Sequence, residues 1–72
     1  MQAQVPFGRN LRGRRLASGW SQQQLSDRCE LHLTEISRLE NGHRNPRLST
    51  IVKLADALGI APSELLAGGA YR

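Results

Sequence analysis

Apolar positions along the chain recur in short helical stretches separated by polar punctuation. Phe7, Leu11 and the aliphatic stem of Arg15 repeat at i, i+4 and i+8, the spacing of one helix face. This predicts a first helix over Phe7–Ser18, preceded by a frayed arm over Met1–Pro6 and ended by Gly19. Gly13 costs that helix about 1 kcal/mol relative to Ala, so tertiary packing must hold it. Trp20-Ser21-Gln22-Gln23-Gln24-Leu25 is a helix-start signal. Ser21 caps, Gln24 completes a capping box, and Trp20 and Leu25 bracket the cap as a hydrophobic staple. The second helix then runs to about Cys29, burying Leu25 and Cys29. A second staple, Leu31 with Ile36 around a cap at His32, opens a third helix. His32 is a poorer cap than Ser, Thr or Asp. On that helix Ile36, Leu39 and Glu40 point one way and Thr34, Ser37, Arg38 and Asn41 the other. Asn41-Gly42 stops it, because both residues tolerate the left-handed conformation of a C-terminal cap.

Only Glu30 and Leu31 separate the second and third helices. So short a connection forces a steep crossing, the helix-turn-helix arrangement. A polar loop, Asn41–Arg47, leads to a fourth helix from about Leu48 or Ser49 to Leu58. Leu48, Ile51, Val52, Leu54, Ala55 and Leu58 make this the most apolar helix, and predict a central place for it. Gly59 caps its end. Pro62 suits the first position of a fifth helix, with Glu64 near its positive end and Ile60 and Leu65 as a third staple. Gly68–Arg72 reads as a flexible tail. The expected fold is all-α: a compact five-helix single domain over residues 1–72, with an ordered core of about 7–66.

Seventy-two residues allow one domain at most. A chain this short buries only about 60% of its unfolded surface. The net charge is +4, and nine of the ten basic residues are Arg, an excess that favours a polyanionic partner. The lone Cys29 excludes an internal disulfide and zinc-site spacing, which fits a reducing compartment. The N-terminus lacks the features of a signal peptide. No apolar run approaches 18 residues. A cytoplasmic protein without membrane contact is expected. His32 and His43 have no metal-ligand spacing, and no phosphate loop or nucleophile motif is present. Neither catalysis nor a cofactor is expected.

Taken together, Trp20–Leu25, Ile36–Gly42, Asn45-Pro46 and Leu54–Ile60 resemble the phage repressor and Cro type of helix-turn-helix domain. The resemblance covers about Phe7–Leu66. Small stand-alone members of that family include phage repressors, restriction-modification controller proteins and antitoxins, and this chain is similar in length to the controller proteins. The resemblance implies a homodimer on a two-fold symmetric double-stranded operator. It places the third helix in the major groove and the second across the backbone. It sets Ser21 and Gln22 against phosphate, with Gln22 also reaching an outer base. It turns Leu33, Thr34, Ser37 and Arg38 to the groove, and Asn41, His43, Arg44 and Arg47 to phosphate. It pairs Arg15 with Glu40 as a structural salt bridge. Two residues depart from the family pattern: Glu30 stands where Gly is usual, and His32 where a Ser or Thr cap is usual.

The residue chemistry bears on these roles. Arg38 can fork onto guanine O6 and N7, and Thr34 and Ser37 suit a base edge, a methyl group or a phosphate. Leu33 has two readings, apolar contact with a thymine methyl and peripheral core. Glu40 lies on a buried face, where an unpaired carboxylate is costly. Ile60, Leu65 and Leu66 have two readings as well, a dimer interface and closure of the monomer's own core. The predicted function is a dimeric, sequence-specific DNA-binding transcriptional regulator. The alternative is an antitoxin-type module whose main partner is a toxin or another protein.

Overall fold

The computed structural model describes residues 4–66. The expected Gly68–Arg72 tail and the first residues of the expected N-terminal arm lie outside them. Among the described residues there are five α-helices: α1 (Gln4–Ala17), α2 (Gln22–Cys29), α3 (Leu33–Glu40), α4 (Leu48–Leu58) and α5 (Pro62–Leu66). α1 begins earlier than the Phe7 expected from periodicity. Pro6 lies in its first turn, where a missing N–H costs no intrahelical bond, so proline does not mark the boundary.

The three staples form as local chemistry requires. Trp20, Leu31 and Ile60 pack against the core, and their partners Leu25, Ile36 and Leu65 are fully buried within it. The Ser21 Oγ accepts the Gln24 N–H at 3.1 Å, and the Gln24 side chain accepts the Ser21 N–H at 2.7 Å. α3 starts without such help, since His32 makes no side-chain capping bond. α5 has half a capping box, with Glu64 accepting the Ala61 N–H at 2.9 Å.

Phe7 and Leu11 of α1 meet Leu25, Ile36, Leu39 and Leu54, all fully buried. α1 packs on α3 and α5, and α4 packs on α2 and α5. Two expectations for the apolar residues need correcting. Leu48 and Val52 of α4 are 76% and 40% exposed, because the buried arc centres on Ile51, Leu54 and Ala55 and leaves these two on its flank. Leu65 is 0% exposed within one subunit. Its side chain closes the monomer's core and has no surface to offer a second subunit. Ile60 is half-buried, and Leu66 is 37% exposed.

Two backbone positions set how the helices meet. An ideal Cβ on Gly8 would lie 2.3 Å from the Leu39 carbonyl oxygen and 2.7 Å from that of Glu40. Only a residue without a side chain lets α1 approach the end of α3 so closely. At the turn between α2 and α3, Glu30 has φ 61°, the only positive φ of a non-glycine residue among those described. The turn therefore keeps the geometry that glycine favours, with the left-handed conformation imposed on Glu30. The Glu30 N–H still donates to the Ser26 carbonyl at 3.0 Å, and the Ser26 hydroxyl bonds the Leu31 carbonyl across the turn.

These positions predict opposite outcomes. Glu30→Gly relieves the left-handed strain and raises stability by about 1 kcal/mol. Gly8→Ala drives a methyl into two backbone carbonyls and lowers it by about 2–3 kcal/mol. Urea unfolding of both variants checks the signs. A stable Gly8→Ala protein would disprove the close approach.

Candidate nucleic-acid interface

The site begins with a division along α3. Ile36, Leu39 and Glu40 are buried, whereas Leu33, Thr34 and Arg38 are exposed and Ser37 is half-buried. The exposed side bounds a shallow concavity of about 410 Å³, lined by Gln22, Leu33, Thr34, Ser37, Arg38, Asn41 and His43. All five residues expected to meet a base are gathered here, with Asn41 and His43 from the expected phosphate set. Leu33 is 41% exposed and stands outside the core, so its peripheral-core reading is not realised. Arg38 makes no ion pair with any described residue.

The end of α3 is locked by its exit. The His43 N–H donates to the Arg38 carbonyl at 2.9 Å and the Gly42 N–H to the Leu39 carbonyl at 3.2 Å, a Schellman pair. Gly42 supplies the left-handed step at φ 73°, while Asn41 stays at φ −86°. The Asn41 amide is thereby free to lie beside Ser37, Nδ2 to Oγ 3.5 Å. The chain then turns Arg44 and Arg47 into a second concavity of about 250 Å³, beside Glu30, His32 and Glu35. Arg44 is paired with Glu35, Nε to Oε2 3.3 Å. The sequence reading assigned Arg44 to phosphate and did not foresee this acid.

What holds α3 against the rest is a buried polar junction. Arg15 donates from Nε to Glu40 Oε2 at 2.7 Å and from Nη2 to Oε1 at 3.1 Å. Its Nη1 donates to the Trp20 carbonyl at 2.7 Å. The Gln22 amide adds a bond to Glu40 Oε1 at 3.1 Å. Glu40 thus joins α1, the start of α2 and α3 at one carboxylate. The pair named in the sequence reading is present, with side chains only 10% and 3% exposed. That Gln22 also belongs to it was missed. The hydrogen bonds to Glu40 hold the Arg15 guanidinium above its ordinary pKa, against the opposing effect of burial. A raised pKa in a cationic partner keeps its stabilisation intact up to strongly alkaline pH.

Ser21 is exposed and engaged as the N-cap of α2. Its neighbour Trp20 lies under Arg28, whose guanidinium carbon is 4.3 Å from the ring centroid. Cys29 is 5% exposed, and burial pushes its thiol pKa up, away from the thiolate that nucleophilic chemistry needs. No helix among the described residues is long and apolar enough to cross a membrane.

Comparison with known proteins follows the same outline. The family described as Helix-turn-helix matches residues 11–65. The control protein C.BamHI of Bacillus amyloliquefaciens is 46% identical over 61 residues, covering 83% of this chain and 75% of that protein. The crystal structure of the restriction-modification controller protein C.AhdI from Aeromonas hydrophila superposes with a TM-score of 0.83 at 44% identity, over 86% of this chain and 94% of that one. The structure of the hypothetical transcription factor NHTF from Neisseria gives a TM-score of 0.89 at 37% identity, over 97% and 80%.

The polar junction is tested by removing one partner. Glu40→Ala leaves Arg15 buried and unpaired, and stability falls by about 3–5 kcal/mol. Arg38→Ala, on the opposite side of the same helix, changes it by less than about 0.5 kcal/mol. Denaturant unfolding of the two variants measures the contrast.

Proposed function

The chain belongs to the helix-turn-helix family of DNA-binding transcriptional regulators, and from that premise we propose that it reads a specific double-stranded sequence as a homodimer. The observation that carries this is the concavity on the solvent side of α3 where Gln22, Leu33, Thr34, Ser37, Arg38, Asn41 and His43 converge. Arg38, in no ion pair among the described residues, has a fork for guanine, the small hydroxyls of Thr34 and Ser37 permit close approach, and Leu33 offers a surface for a thymine methyl. Asn41 and His43 within this surface, Arg44 and Arg47 of the loop that follows, and Ser21 at the start of α2 supply phosphate contacts that set register. The likeness to the control protein C.BamHI and to the restriction-modification controller protein C.AhdI supports a controller-type regulator rather than a module whose main contact is another protein.

Dimerisation would place two copies of α3 on half-sites about 34 Å apart, one helical turn of DNA. With Leu65 enclosed in its own subunit, Ile60 and the exposed Leu66 remain from the expected interface. Leu66→Asp is expected to halve the sedimenting mass without altering helix content. Unchanged mass would move the interface elsewhere.

Recognition is tested by selection from a random duplex library at near-physiological salt. The expected result is a two-fold symmetric motif, with Arg38→Ala costing about 1–3 kcal/mol and relaxing preference at one position per half-site. Failure of the folded protein to enrich any motif would overturn specific recognition.

A further inference from the structure

Three guanidinium groups lie on α3 and the loop that follows it: Arg38 in the proposed reading face, and Arg44 and Arg47 in the second concavity. Two carboxylates line the concavity that holds Arg44 and Arg47, Glu30 of the turn and Glu35 on the flank of α3; Glu35, its side chain 25% exposed, is the one in an ion pair with Arg44. Two of these cations are natural partners for it. Arg38 lies three residues on along the same helix, a spacing at which opposite charges pair. Arg44 reaches it from the loop. The structure pairs Glu35 with Arg44 and leaves Arg38 without an ion-pair partner among the described residues.

The form of that pair matters. The closest approach is Nε to Oε2 at 3.3 Å, an ion-pair contact, and no nitrogen of Arg44 makes a side-chain hydrogen bond to a described residue. Arg44 remains 44% exposed. A guanidinium presents two edges to anions, so one held along its Nε side can still offer its Nη groups to a phosphate.

We propose that Glu35 is a specificity-determining residue that acts through Arg44, rather than by touching DNA. This rests on the proposed reading of Arg44 as a phosphate contact. Non-specific binding scales with the cations free to meet phosphate. Glu35 offsets Arg44 on any duplex, which lowers that background. In the free protein the same carboxylate keeps Arg44 near its place, so less side-chain freedom is lost when it meets phosphate in the seated complex. The penalty therefore falls more heavily on wrong sequences than on the right one. By occupying Glu35, Arg44 also keeps that carboxylate from pairing with Arg38, which leaves the base-reading guanidinium available.

The test uses the full chain, the duplex enriched by the selection above, and a scrambled duplex of equal length and composition, over a series of salt concentrations. Glu35→Gln is expected to tighten binding to the scrambled duplex several-fold and to steepen its log affinity against log salt by about 1, while the enriched duplex changes less than about two-fold. Arg44→Lys keeps the charge but lacks the Nε edge, and is expected to lose discrimination in the same direction. In an Arg44→Gln background, Glu35→Gln should no longer change the ratio of the two affinities. Equal fold-changes on both duplexes would overturn the proposal. So would a Glu35→Gln effect that persists without Arg44. If the unsubstituted protein binds both duplexes alike, specific recognition itself fails, and the proposal falls with it. That outcome is visible before any substitution is made.

Discussion

The Arg15–Glu40 pair is the constraint on which the geometry of this domain rests. α3 must be held at a fixed angle while one whole side of it stays open to solvent, so its support has to come from the other side alone. Apolar contacts from Ile36 and Leu39 supply burial but are not directional. The forked contact between Arg15 and Glu40 is directional, and the Trp20 carbonyl and the Gln22 amide extend it to the start of α2. The desolvation cost of two buried charges is offset only because their hydrogen-bonding groups are satisfied together. No buried side-chain nitrogen or oxygen among the described residues lacks a partner.

Gly8 completes that support from the backbone. It lies seven residues before Arg15, about two helical turns away on the same stripe of α1. At one end of the stripe the backbones of α1 and α3 nearly touch. At the other, a side-chain pair spans the gap between the helices. Two contacts of such different reach, on one line, determine an angle as well as a distance. The turn between α2 and α3 then has little freedom, which is why its left-handed step persists although the residue there is Glu30.

Much of this was legible in the sequence, because caps, staples and helix periodicity act over a few residues. The capping box at Ser21 and the split of α3 into Ile36, Leu39 and Glu40 against Thr34, Ser37 and Arg38 follow from spacing alone. What was not legible depends on the rotation of one helix against another. Gly8 resembled any helical glycine, although its place on the buried stripe of α1 was an available signal. Leu65 and Leu66 are adjacent and equally apolar, yet the first is enclosed and the second half-open, a difference that only the seating of α5 on α1 and α4 decides. Leu48 and Val52 misled for the same reason: periodicity finds the apolar arc of α4 without saying where its neighbours end. The Glu35–Arg44 and Gln22–Glu40 contacts cross between elements, and no local pattern encodes them.

The two sides of α3 also have a consequence for how such a domain can change over time. Ile36, Leu39 and Glu40 carry the fold and are buried away from the open face, whereas Leu33, Thr34, Ser37 and Arg38 contribute to that face and little to the fold; Gln22 alone of the residues named takes part in both. Substitutions on an open helix face of this kind are close to neutral for stability. The chemistry of the open face and foldability are therefore nearly separate inheritances in this chain. A lineage can remodel that face through a series of folded intermediates, without first accumulating spare stability to survive the change.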